Sequence, residues 1–358
     1  MRGCAGARLR GCAGARVLWT PRGQGFRGAR GRGCAVFGTE IVCYLFLGGA
    51  GAGACFVLAV MGLLVPRERL GVRQVDGLDG HVRTALLVPR VYRALFTPPF
   101  VCAVLALTLG MAFLLADLGR SDRILLLLTQ PSLSHIVVGA YALVISVVLA
   151  SVLALAWGGV FRRMAPHVFV ALQVLMLAGA AVVMAYTGLL LQSMRAVALW
   201  HSPWLPALFV LSSLSCGFAL VVGAAQFSEA AGAFASVLSR SALADAGVIV
   251  AEALAAVALL ATVVHAAQAG GANGTTVAAA ESVRQLACGV QAPLFWGGFV
   301  TLGLAIPLCI EVAGAMLHRL PSVAILGLAA SVLVGGFALR WCIVNAGMHP
   351  ALSVLGFG

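Results

Sequence analysis

The sequence contains no lysine, only 11 acidic residues, and 9% charged residues in a chain of 358. So little charge excludes a water-soluble globule, whose surface needs roughly a quarter charged residues. It also contains no Cys-x-x-Cys, although ten cysteines are present. Cys43, Cys55, Cys102, Cys216, Cys309 and Cys342 stand singly in apolar runs, where cysteine behaves as a small hydrophobe. Zinc or iron-sulfur binding by this protein is therefore not expected. The seven histidines lie in loops or near the ends of apolar runs, so no pair is expected at mid-membrane to hold haem.

What is present is hydrophobicity: 62% of residues are apolar and mean hydropathy is +1.05. Runs of roughly 20 apolar residues cross a ~30 Å hydrocarbon core. Eight occur, at about 41–65, 99–116, 136–158, 168–191, 205–226, 244–267, 291–316 and 323–346. Barrel strands would be shorter and would alternate in polarity. The expected fold is an all-α integral membrane protein, an eight-helix bundle of two four-helix halves, with both termini on one side of the bilayer.

All 23 basic residues are arginine, and eight of them precede residue 36 in a stretch without an acid. That stretch repeats Arg-Gly-Cys-Ala-Gly-Ala-Arg at 2–8 and 10–16. Such low complexity builds no core, and it lacks the apolar run of a signal peptide. Two readings stand: an arm for an anionic surface, or an upstream misreading with the protein beginning near Val36, where a GTG initiation codon would read internally as valine. The second is expected, and with it no nucleic-acid partner. Residues 36–350 form the membrane domain and 351–358 a short tail.

The remaining loop arginines give the orientation. Loops 66–98, 159–167, 227–243 and 317–322 hold ten arginines, whereas Arg120, Arg123, Arg195 and Arg284 are the four on the other side. Arginine-rich loops stay in the cytoplasm, which places both termini outside. The expected location is the cytoplasmic (inner) membrane.

Gly48-Gly-Ala-Gly-Ala-Gly53 superficially suggests a phosphate loop. Within a twenty-residue apolar run it reads instead as a small-residue face for close helix packing.

Polar residues inside so apolar a chain are costly and therefore candidates for function. On the eight-helix topology, Tyr44, Asp117, His135 and the pair Tyr186-Thr187 all fall near the outer ends of helices 1 to 4. Arg340 falls in the outer half of the last helix, and Arg120 follows Asp117 by one turn. An acid, a histidine and two tyrosines at one depth suit a functional pocket. Glu252 and Glu311 fall in the inner half, where they are candidates for a proton path from the cytoplasm. Water access or pairing with an inner-loop arginine is the plainer account of both.

These residues also carry a resemblance. Tyr44-Leu-Phe-Leu-Gly-Gly, Ala116-Asp-Leu-Gly-Arg120, Pro131 to Ser134 leading to Gly139-Ala-Tyr141, Tyr186-Thr-Gly-Leu-Leu-Leu191, Trp200-His-Ser-Pro-Trp-Leu-Pro206, Gly335-Gly-Phe-Ala-Leu-Arg340 and Ala346-Gly347 occur in order across about 40–350. In this the sequence resembles the NrfD-type family, the membrane subunits of polysulfide-reductase-like complexes. The resemblance implies a quinone or quinol site near the outer face, with menaquinone the expected species. It further implies electron exchange with a ferredoxin-like iron-sulfur subunit that serves a molybdopterin catalytic subunit in anaerobic respiration. Under it, Tyr186 hydrogen-bonds a quinone carbonyl, Tyr44 stands where some relatives have histidine, and Asp117 exchanges protons with quinol. A secondary transporter and a passive membrane anchor remain the alternative readings.

Overall fold

A computed structural model describes residues 39–66, 69–76, 82–118, 135–161, 164–193, 199–228, 232, 234–269, 274–317 and 321–347. The arginine-rich leader, Arg120, Pro131 to Ser134 and the tail after 350 lie outside the described residues. The helices are α1 (Thr39–Leu64), α2 (Arg90–Leu118), α3 (His135–Trp157), α4 (Pro166–Gln192), α5 (Trp204–Ala225), α6 (Ala235–Ala269), α7 (Gly274–Ala287), α8 and α9 (Ser322–Gly347). The α8 helix begins as a π-helix over Leu294–Ala305 and continues as an α-helix over Ile306–Leu317. All but α7 are long and apolar enough to cross a membrane, which gives the eight expected spans.

Two helices extend beyond their apolar runs. α2 starts at Arg90 and runs through Pro98 and Pro99, where the two prolines suggest a break. α6 starts at Ala235, carrying the polar turn Ser239-Arg-Ser241 ahead of the apolar run. Three further elements escape a scan for twenty-residue runs. Strands β1 (Gly71–Asp76) and β2 (Val82–Leu87) form an antiparallel hairpin, pairing Gly71 with Leu87 and Asp76 with Val82. The hairpin is an addition to the helical bundle: it lies in the loop 66–98, where six-residue strands carry no hydropathy signal. The fourteen-residue α7 is likewise too short to span.

Helices α1 to α4 pack around one another, as do α5, α6, α8 and α9, and the two groups join through α1 and α5. α1 is the most enclosed span, with 72% of its apolar window buried against 33–56% for the others. Its glycines explain this. A Cβ on Gly53 would meet the backbone of Ser213, and one on Gly217 the backbone of Gly53, so α1 and α5 cross main chain against main chain. A Cβ on Gly110 would stand 2.9 Å from the Gly48 nitrogen, bringing α2 equally close. Lipid tails are as apolar as side chains, so intimate packing of this kind holds membrane helices together.

The π-wound start of α8 is visible in its bonds. The Ile306 N–H donates to the Thr301 carbonyl five residues back, and the Thr301 hydroxyl donates to the Trp296 carbonyl at 2.8 Å. The wider turn sets Gly303 on the face that meets Gly335 of α9, Cα against Cα.

Candidate functional site

At the start of α1 the sequence places a tyrosine on the face that α4 covers. Tyr44 and Tyr186 are both buried, at 2% and 4% exposure, and their hydroxyls come within reach of each other. The contact is not aligned as a hydrogen bond, and the buried Tyr186 hydroxyl has no partner at bonding geometry among the described residues. Such a group costs about 1–3 kcal/mol, so it calls for a ligand or a water. Against the other side of its ring lies α3, where a Cβ on Gly139 would strike the Tyr186 ring atoms. A glycine at 139 is thus the condition for Tyr186 to stand where it does.

Thr187 is fully buried, and its hydroxyl donates to the Met184 carbonyl of its own helix at 2.7 Å. Only its acceptor lone pairs remain for a neighbour. Asp117 occupies the last turn of α2, seven residues or about 10 Å beyond the Gly110 contact with Gly48. His135 is the first residue of α3, one turn before Gly139. The backbone thus brings both to the Tyr44 end of the bundle; their side chains, like Arg120, lie outside the described residues.

Arg340 is fully buried in α9. Its Nε donates to the Leu45 carbonyl at 3.2 Å, next to Tyr44. Its Nη1 donates to Ser212 Oγ at 3.2 Å and to the Gly336 carbonyl at 2.9 Å, and its Nη2 to Ser213 Oγ at 2.8 Å. The rings of Phe46 and Phe209 lie 5.8 and 5.4 Å from the guanidinium carbon, close enough for cation–π attraction. Among the described residues no carboxylate reaches ion-pair distance of this cation. Neutral oxygens and ring faces solvate it instead, and they lock α1, α5 and α9 together.

One of the two glutamates, Glu252, lies closer to this cation than its place in the sequence suggests. Glu252, buried in α6, faces Ser212 and feels the Arg340 charge. It therefore shares the serine that Arg340 binds and is not set apart at the far side. Glu311 is also buried, and its carboxylate meets that of Asp245. Asp245 precedes Glu252 by two turns on the same face of α6 and neighbours Ser215. Among the described residues Ser215 Oγ, Asp245 Oδ1 and Glu311 Oε2 have no hydrogen-bond partner. The result is a buried polar seam, Glu311, Asp245, Ser215, Glu252, Ser212 and Arg340, ending beside Leu45.

Asp245 escapes a reading of the sequence because it is the second residue of its apolar run, just after the polar segment Ser239-Arg-Ser241, and resembles a helix-end residue. Its i, i+7 spacing to Glu252 is the available signal.

The aromatic motif before α5 has a structural role. Trp200 Nε1 donates to the Ile343 carbonyl at 3.0 Å, and a Cβ on Gly347 would stand 2.5 Å from the Trp200 ring. Ser202 Oγ and Thr262 Oγ1 are 3.1 Å apart, tying the same segment to α6.

Comparison with known proteins bears on this arrangement. Residues 30–350 match the family described as polysulphide reductase, NrfD. The C subunit of polysulfide reductase from Wolinella succinogenes is 28% identical over 324 residues, which span 86% of the present protein and 92% of that subunit.

Proposed function

Because this protein belongs to the NrfD polysulphide reductase family, we propose that it is the quinone-binding membrane subunit of an oxidoreductase complex, with its site at the Tyr44–Tyr186 end of the bundle. The observation that carries the reading is the buried Tyr186 hydroxyl without a partner. It stands in an apolar wall beside a second tyrosine, the donor set that a quinone carbonyl requires. A bound quinone would supply two-electron, two-proton chemistry; menaquinone is the species we expect.

The protein's own contribution is orientation and proton handling. Tyr186 donates to one carbonyl oxygen, held in place by Gly139 behind its ring. Tyr44 lies near enough to hydrogen-bond Tyr186 or the same oxygen. Asp117 exchanges the proton at the mouth of the site, and His135, one helical turn from Gly139, is the second polar group there. Thr187 offers acceptor lone pairs, and Arg120 and Arg340 supply positive charge. Electrons pass to or from a ferredoxin-like iron-sulfur subunit seated on the same, outer side, and that subunit serves a molybdopterin catalytic subunit. This places the protein in the cytoplasmic membrane, as part of an anaerobic respiratory complex.

The buried seam extends the proposal to protons. Glu311, Asp245 and Glu252 hold and pass protons between the arginine-rich side of the bundle and Arg340. Serines 212 and 215 are the hydroxyl steps between carboxylates, since a hydroxyl both donates and accepts.

Titrating the purified subunit with a menaquinone analogue, followed by tyrosine fluorescence quenching, tests the site. Saturable binding that Tyr186→Phe weakens supports it. Absence of binding by the wild-type subunit, alone and within its complex, leaves a passive anchor.

A further inference from the structure

The second feature that calls for a ligand lies at the opposite end of α1. A cavity of ≈ 590 Å³ opens there between the last turns of α1, the first turns of α2, the middle of α5 and the start of α6. Its walls include Val60, Leu95, Phe218 and Val248, and Arg69 and Arg240 stand at its edge. The volume lies within the range of about 300–1,000 Å³ typical of ligand sites. Along α1 it is separated from Tyr44 by 12 to 21 residues, about 18–30 Å.

Two observations define what fits. The walls are mostly apolar, with Tyr92, Ser236 and Ser241 the uncharged polar residues among them, so water gains few hydrogen bonds inside, and an unfilled space forfeits the dispersion contacts of its lining. A hydrocarbon tail satisfies both. The edge is cationic: Arg69 and Arg240 are exposed, neither guanidinium makes an ion pair or hydrogen bond among the described residues, and no acid occurs among the described lining residues. Two exposed guanidiniums at a helix-end interface suit a phosphate, which each can grip with paired N–H donors. A quinone head is neutral and would leave both cations unanswered.

We infer that this cavity is a binding site for an anionic phospholipid, one acyl tail filling the space between α1, α2, α5 and α6 and the phosphate held by Arg69 and Arg240. The bound tail then acts as a packing element, joining the two helix groups where their side chains do not meet. Basic pockets between helices on the cytoplasmic side are a known setting for anionic head groups, and the loop arginines place this end of α1 on that side. The inference stands apart from the quinone reading, since it concerns the other end of the bundle.

The test uses the intact complex, delipidated in mild detergent and returned to phosphatidylglycerol or phosphatidylcholine, with retained lipid counted by native mass spectrometry. Two cations, each contributing roughly fivefold, predict about a twenty-five-fold preference for phosphatidylglycerol. Arg69→Gln with Arg240→Gln should remove that preference, and Val60→Phe, which narrows the cavity, should lower retention of either lipid. Quinol turnover should be unchanged in these variants, which also shows that they fold. If Val60→Phe fails to fold, the paired glutamine variant at exposed positions decides alone. Equal retention of the two lipids, an undiminished preference in the glutamine variant, or displacement of the lipid by a quinone analogue would each overturn the assignment.

Discussion

The ring of Tyr186 lies directly against the backbone of Gly139, so that a single methyl group at 139 would occupy the space of the ring. α3 thereby fixes the position of a side chain that belongs to α4, and the hydroxyl it positions is buried without a partner among the described residues.

Gly139→Ala should therefore push the Tyr186 ring aside. We expect a loss of about 1–3 kcal/mol in stability together with weakened quinone binding. Combining it with Tyr186→Leu should cost less than the sum of the single changes. Thermal unfolding of the four proteins in one detergent checks this; strict additivity would show that the two residues do not touch.

Tyr186→Phe should separate binding from folding. The phenyl ring keeps its volume, and the fold loses only a hydroxyl that had no partner, so the melting temperature should hold or rise. Quinone affinity should fall by the worth of one hydrogen bond, about 0.5–1.5 kcal/mol. Wild-type quinone affinity in this variant would remove Tyr186 from the site.

Asp117→Asn should affect rate more than binding. If Asp117 is the group that exchanges the proton, quinol-dependent electron transfer in the assembled complex should drop about 10²-fold or more, with little change in apparent affinity. Glu311→Gln, in the seam, should leave quinone affinity as it is. Full turnover in Asp117→Asn would reassign the proton to another group.

Arg340 should be intolerant even of lysine. Arg340→Leu strands Ser212, Ser213 and the Leu45 carbonyl without their donor, a loss on the order of 3–5 kcal/mol. An ammonium is a compact point charge and cannot reach three helices as the guanidinium fork does, so Arg340→Lys should recover only a minor part. The yield of monodisperse protein and its unfolding temperature measure both, and near-wild-type behaviour of the lysine variant would contradict the bracing role.

Topology can be read with reporter fusions. The ten-to-four arginine bias of the loops predicts a cytoplasmic reporter in the loop 66–98 and an external one after residue 350. An external reporter in the loop 66–98 would invert the orientation.

Much of the fold could be read along the sequence because a bilayer imposes one length on every span. Twenty-residue apolar runs are a one-dimensional signal that yielded the eight helices, and loop arginines are another, from which an orientation is expected. The hairpin at Gly71–Leu87 and the short α7 were not legible, since neither meets hydrocarbon over a full span. Motif order likewise brought Tyr44, Asp117, His135 and Tyr186 to one end of the bundle. What the sequence alone left open was lateral: which face of each helix meets which neighbour. Every face is apolar here, and the hydrophobic periodicity that orients helices in water is absent. Only tertiary packing decided that Gly53 and Gly217 would cross backbone to backbone, that Gly139 would seat Tyr186, and that Arg340 would find serines in place of a carboxylate. It also joined Asp245 to Glu311 across two helices 66 residues apart in sequence, a contact set by how the helices turn toward each other and not by any local pattern.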